Sequence, residues 1–307
     1  MAGSTLLGWA RLPPVRLERE NIMSFEYWFM FPVAILVATI AMASGVGGAT
    51  FFAPILILGL RLPPEVAIGT GLITEVFGFA SGVVAYVRKR LIDYRLGVAL
   101  LVVTIPMAIL GSWLSGAVNP NFLKIILGMG LFAVALSFLR APETKDVDRA
   151  DEAIDSEYGG EKAETRLVTA EGEEIRYTVC NRTEGRLIAG VGGLFVGLIS
   201  TGLGELNGYF LLRRCKVPSK VSVATSVFVV AFTALSAATG HLVQFIQSGG
   251  EALRTVFNIV IFTVPGVIMG AQLGAAVASR ISQHTLERAL GVLFILVALL
   301  TLGEAVL

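Results

Sequence analysis

Apolar runs near bilayer length dominate the chain. A span needs about 20 residues at 1.5 Å each, and segments 64–87, 96–117, 121–139, 221–246, 255–278 and 285–303 each come close to that. None shows the polar stripe that a soluble helix turns to water every few residues. Two further apolar segments are broken by glycine. One runs 31–60 and is interrupted at Ser44-Gly45-Val46-Gly47-Gly48, and the other runs 187–212 and is interrupted at Ser200-Thr201-Gly202-Leu203-Gly204. The pieces on either side are too short to cross a membrane alone.

The broken segments correspond, and so do the stretches after them. Arg61-Leu62-Pro63-Pro64-Glu65-Val66-Ala67-Ile68-Gly69-Thr70 aligns with Lys216-Val217-Pro218-Ser219-Lys220-Val221-Ser222-Val223-Ala224-Thr225. Pro106 and Gly111 match Pro265 and Gly270, and Gly128 matches Gly291. The expected fold is therefore all-α and polytopic, built of two homologous repeats. Each repeat is a Gly-broken helix, re-entrant or discontinuous, plus three spans. The expected layout is an N-terminal extension (1–30), repeat 1 (31–140), an insert (141–185) and repeat 2 (186–307).

Composition agrees: 55% of residues are hydrophobic and 15% charged, against roughly 25% charged in soluble domains. Mean hydropathy is +0.77. A soluble enzyme, a nucleic-acid binder and a disordered chain are all excluded. The net charge of +1 averages two regions of opposite sign. Segment 141–185 holds six basic and thirteen acidic residues, while basic residues elsewhere cluster at span ends.

That clustering bears on topology. If each broken segment is a re-entrant hairpin, the halves are inverted and 18 Lys and Arg share one side, against 6 on the other. The positive-inside bias then favours inverted halves with 141–185 in the cytoplasm. Residues 1–22 lack the apolar core of a secretory signal, and no function is assigned to them. Within the insert, 146–164 reads as acidic and solvated, and 166–179 reads as a β-hairpin turning at Glu171-Gly172. Cys180 and Cys215 have no metal or redox spacing and read as incidental free thiols.

Irregular backbone inside a membrane must be satisfied by protein or by water in a cavity. Glycine-interrupted segments at matching places in two halves point to a transporter binding site. After each break a new helix begins, and its free N–H groups favour an anion. Candidate substrate-binding residues are Ser44, Gly45, Gly47, Gly48 and Thr70 in the first half. Their counterparts in the second are Ser200, Thr201, Gly202, Gly204, Asn207, Thr225 and Ser226. Two carboxylates, Glu75 and Glu205, fall inside apolar sequence at a cost of about 2.5–3.5 kcal/mol or more, which marks them as functional. Both are candidates for proton coupling. His241 reads as a satisfied interfacial histidine. No Cys/His/Asp cluster suggests a metal, no cofactor is expected, and an intramembrane enzyme is disfavoured.

Taken together, these motifs resemble the TauE/SafE family of sulfite exporters and sulfonate permeases. The resemblance rests on Ser44-Gly45-Val46-Gly47-Gly48-Ala49 followed by Pro54, and on Leu62-Pro63-Pro64-Glu65-Val66-Ala67-Ile68-Gly69-Thr70. Arg88-Lys89-Arg90-Leu91-Ile92-Asp93 and Ser222-Val223-Ala224-Thr225-Ser226 complete it. It implies secondary transport of a sulfur-containing or organic anion (sulfite, sulfonate, sulfoacetate or thiosulfate class) across the cell membrane. The acidic tip Gly202-Leu203-Gly204-Glu205 departs from the glycine-richer family pattern. The expected partners are a small anion, protons and the lipid bilayer, with no nucleic acid and with self-association left open. The alternative is a membrane-embedded scaffold acting through the insert.

Overall fold

The computed structural model describes residues 25–44, 49–140, 144–158, 163–247, 251–277 and 283–306. The first block of helices is α1 (Met30–Ser44), α2 (Ala49–Pro54), α3 (Pro64–Arg88), α4 (Tyr94–Ala117) and α5 (Pro120–Leu139). The insert follows as α6 (Thr144–Tyr158), β1 (Thr165–Val168) and β2 (Glu174–Tyr177). The second block is α7 (Arg182–Ile199), α8 (Leu203–Gly208), α9 (Ser219–Gln247), α10 (Glu251–Val277) and α11 (Gln283–Val306). Among the described residues, six helices are long and apolar enough to cross a membrane: α3, α4, α5, α9, α10 and α11. Their starts follow local chemistry. Pro64 and Pro120 open α3 and α5, where a missing N–H costs nothing. Asp93 and Asn181 accept backbone N–H groups at the starts of α4 and α7.

The two blocks interlock. Helix α1 packs on α10 and α7 on α4, while α3 faces α9 and α5 faces α11. Glycine permits the closest of these approaches. A Cβ at Gly197 would lie 2.1 Å from the Ala108 carbonyl oxygen, and one at Gly111 would lie 2.2 Å from that of Leu194. Backbone meets backbone along this seam, as small residues allow in membranes. Gly266 and Gly270 do the same for α10 against Phe31 and Ile35 of α1.

Between α7 and α9 the chain makes a helical hairpin. Helix α7 ends at Ile199, Ser200 takes a left-handed conformation (φ 59°) and Gly202 one still less open to side chains (φ 107°). The chain then runs back along α7, so that Leu203 lies against Gly192 and the Phe210 ring against Gly185. Helix α8 continues into a wide π-type turn, Tyr209–Arg214. A disulfide between Cys180 and Cys215 joins the two ends of this excursion. The hairpin therefore enters and leaves at one face. This corrects the expectation of two free thiols: neither cysteine carries a motif, but each flanks the same hairpin.

Helix α2 is likewise followed by a π-type turn, Ile55–Gly59. Arg61 and Lys216 then both adopt left-handed backbone (φ 53° and 49°), and Leu62 and Val217 donate back to Leu56 and Leu211. The aligned sequences thus repeat their backbone geometry. The first break, at Gly45, Gly47 and Gly48, lies outside the described residues.

The insert is folded. Strands β1 and β2 pair antiparallel, with Thr165 opposite Tyr177 and Val168 opposite Glu174, around Gly172 at φ 86°. Tyr177 is fully buried and donates to Asp93 Oδ2 at 2.8 Å. Burial, with the Asp93 carboxylate beside it, holds the Tyr177 phenol far above its usual range. Asp93 N donates to Thr225 Oγ1 at 3.0 Å, and Ala170 N donates to the Lys89 carbonyl. One face thus gathers the α3–α4 turn, the insert, the hairpin base and the start of α9. Residues 146–158, expected to be acidic and solvated, belong to a helix whose described side chains are mostly exposed, with Ile154 buried.

Replacing Gly197 by Val should cost about 1–3 kcal/mol or more through overpacking. It should lower the thermal unfolding midpoint and the yield of monodisperse protein. A Gly204→Ala control, whose Cβ would meet nothing within 4 Å, should leave both unchanged.

Candidate functional site

The hairpin tip meets the start of α2 inside the molecule. Thr50 Oγ1 donates to Thr201 Oγ1 at 3.0 Å, and the two residues are 2% and 5% exposed. The contact joins segments 151 residues apart. A cavity of about 730 Å³ opens beside it. Its wall includes Thr50, Ser200, Thr201, Gly202 and Gly204 from the tips, Glu75 from α3, and Ser222, Ser226 and Ala234 from α9.

Hydroxyls dominate the polar chemistry of this wall. Ser200 Oγ and Ser222 Oγ are buried with no hydrogen-bond partner among the described residues. Such groups are costly to leave unmet, and both border the cavity, so they are available to a solute or to water. Helix α8 turns two glycines, Gly204 and Gly208, toward the space, and a Cβ at either would meet nothing within 4 Å. The first return bond from this helix runs from Leu206 N to Gly202 O. Glu75 is 5% exposed and is the carboxylate nearest the middle of a span on this wall. Among the described residues lining the cavity, Lys216 is the one cation.

Two threonine pairs brace the helices around the site. Thr74 and Thr263 share a hydrogen bond at 2.8 Å, as do Thr104 and Thr233, and all four are buried. Thr74 to Thr233 and Thr104 to Thr263 are equal intervals of sequence.

The expected site residues divide. Glu75, Ser200, Thr201, Gly202, Gly204 and Ser226 border the cavity. Thr70 does not: its hydroxyl donates to Val66 O in its own helix. Thr225 holds the α3–α4 turn through Asp93. Asn207 is 1% exposed, with its Nδ2 unpartnered among the described residues, and stands off the cavity wall. Gly45, Gly47 and Gly48 fall outside the described residues, as do the side chains of Ser44 and Glu205. Sequence reasoning missed Thr50, Ser222 and the α6 residues on the wall. Thr50 could have been found from its place two residues after the glycine cluster, and Ser222 from its spacing of one helical turn from Ser226.

His241 differs from its interfacial expectation. It is completely buried, and Nε2 lies 2.9 Å from the Gly197 carbonyl oxygen. That carbonyl is among the last four of α7, which have no partner within the helix.

The family model described as Sulfite exporter TauE/SafE matches residues 30–301. The chain is 24% identical over 281 residues to Probable membrane transporter protein YunE of Bacillus subtilis (strain 168), covering 89% of this chain and 96% of that one. It is 26% identical over 258 residues to Probable membrane transporter protein YjnA of the same organism, covering 81% and 90%. Over a shorter stretch of 121 residues it is 31% identical to Probable membrane transporter protein ORF9 of Sinorhizobium sp, covering 39% and 46%. No solved structure matches the chain.

Filling the cavity should separate folding from solute handling. Gly204→Phe or Gly208→Phe should keep the wild-type unfolding midpoint, because each side chain projects into open space. Solute flux in proteoliposomes should fall to background. Unimpaired flux in both variants would place the solute path elsewhere.

Proposed function

The chain belongs to the sulfite exporter TauE/SafE family and is a multi-pass membrane transporter of the cell membrane, and from this premise we propose that it is a secondary transporter of a small sulfur-containing or organic anion. The observation that carries the reading is the cavity beside the Thr50–Thr201 contact. It joins hydroxyl donors, bare glycine backbone and one mid-span carboxylate at the meeting of two interrupted segments. Hydroxyls and amides can hold an oxyanion without a buried cation, so the solute is released as readily as it is bound.

Glu75 is the proposed proton carrier. A carboxyl group inside a span is costly when charged. Taking up a proton as an anion arrives lets both cross with less net charge. Glu205, at the hairpin tip, is the second candidate of the same kind.

Alternating access follows from two inverted repeats, roughly 31–140 and 186–303. Support comes from the exchanged packing of α1 on α10 and α7 on α4, from the paired threonine bonds, and from the matching backbone at Arg61 and Lys216. Rocking of one helix set against the other would open the cavity to each side in turn. The excess of Lys and Arg on the insert face argues that this face is cytoplasmic.

Two outcomes test these assignments. Glu75→Gln, reconstituted and supplied with labelled sulfite or a sulfonate, should lose proton-coupled uphill transport while still binding the solute in a thermal-shift assay. Proton coupling that survives the substitution removes Glu75 from this role. The second concerns sidedness. With Glu171→Cys, at the exposed turn of the insert, a membrane-impermeant maleimide should label permeabilised cells and leave intact cells unlabelled beyond the parent. Labelling of intact cells would put the insert on the opposite side.

A further inference from the structure

Helix α6 of the insert stands over the cavity. Asp146, Asp151, Ile154 and Glu157 line the same space as Ser200 and Ser222. Ile154, 3% exposed, is the apolar anchor. Asp151 is the latch: Oδ1 accepts the Ser219 backbone N–H at 3.0 Å, and Oδ2 accepts the Ser219 hydroxyl. The start of α9 is therefore capped by a carboxylate from a different element, where a negative charge is favoured by the free amides and the helix dipole. This fixes α6 across the opening.

The helix carries six carboxylates against Lys145 and Arg149. The Asp151 charge is met by the α9 amides. Among the described residues Asp146 pairs with Arg149 at 3.8 Å, with both side chains largely exposed, a geometry that neutralises little. Glu157 is exposed as well. Deeper in, Ser200 and Ser222 are buried hydroxyls without partners among the described residues. The path thus joins a rim where Asp146 and Glu157 outnumber the lining cation Lys216 to a hydrogen-bonding interior whose one carboxylate is Glu75.

Such an arrangement discriminates by charge number. A fixed negative potential at the rim opposes an ion in proportion to its charge, so a dianion meets twice the barrier of a monoanion. Resting on the reading that this cavity receives an anion, we propose that α6 is the charge filter of the transport path. It admits singly charged anions of the sulfonate type and rejects doubly charged oxyanions. Asp146 and Glu157 set the filter, and Asp151 holds it in place. The insert is on this account part of the transporter's specificity.

The filter can be measured without transport. The Gly204→Cys variant, altered where the backbone faces open cavity, reports access while Cys180 and Cys215 are joined. Cationic and anionic methanethiosulfonates of similar size are the probes, each rate being divided by its rate with a free thiol. The cationic reagent should react about tenfold faster than the anionic one at low salt. The double variant D146N/E157Q should bring the two within about twofold, and about 0.5 M salt should do the same to the parent protein. An equal ratio in both backgrounds, or no reaction with either reagent, overturns the proposal.

A transport arm keeps this separate from the function it rests on. Methanesulfonate and sulfate serve as the singly and doubly charged probes in proteoliposomes, and D146N/E157Q should raise sulfate flux relative to methanesulfonate several-fold. Parent protein that moves neither ion but shows the labelling difference would sink the anion-transport reading and leave the filter standing. Flux of both ions with a ratio that the variant does not change would sink the filter alone.

Discussion

A helix that ends in a buried interior leaves backbone groups with no water to bond, and this protein is organised around meeting that requirement. The end of α7 shows how it is met. Ser200 N donates to Val196 O, His241 meets the Gly197 carbonyl, and Leu206 N returns to Gly202 O once the next helix has begun. These contacts need α7 close against α4 and α9, and only glycine allows that closeness: Gly193 and Gly197 lie against Thr104 and Ala108 with no room for a Cβ. The interior break and the glycine seam are one device. Without the seam the orphan carbonyls would have no neighbours near enough to satisfy them.

The same device explains why the hairpin is tied at its base. A segment that enters and leaves at one face has few contacts to hold it at depth, and α8 with its π-type turn makes little regular structure of its own. The Cys180–Cys215 bond, the Arg214–Glu184 ion pair and the Asp151 cap on Ser219 all act at that face. Each restrains where the hairpin starts or where the chain goes next. The insert belongs to this set, because Tyr177 and Ala170 bind it to the α3–α4 turn while α6 reaches the cavity. Placement of the tip therefore depends on structure well outside the apolar helices.

How much of this was legible in the sequence depends on the distance between cause and effect. The six spans are written in local hydropathy, and the second break is written in Ser200 and Gly202, so both could be read directly. Ser200, Thr201, Gly204 and Glu75 reach the cavity because a break and a mid-span charge are local signals. Thr70 and Thr225 were equally polar, but which face of a helix meets the cavity depends on packing, and packing turned them to Val66 O and Asp93. The cysteine pair and α6 were the least legible. Thirty-five residues separate the cysteines, and an acidic helix with one buried isoleucine reads like any solvated segment.

Chemistry enters where the two blocks cease to match. Their shared features are mechanical: proline starts, π-type turns, left-handed Arg61 and Lys216, and threonine bonds among α3, α4, α9 and α10. Counted from the match of Arg61 with Lys216, Glu75 falls opposite Val230 and His241 opposite Tyr86, so neither is repeated in the other block. Both unmatched polar residues are buried, one on the cavity wall and one against the hairpin tip. A symmetric pair of carboxylates would place two like charges around one small cavity, and one of them would then be forced neutral. One mid-span carboxylate on this wall avoids that conflict, which suits the proton role proposed for Glu75. An acidic helix at one end of the cavity adds a second asymmetry. In the proposed mechanism related halves supply motion between equivalent states, and the charge that makes those states unequal comes from residues present in one half alone.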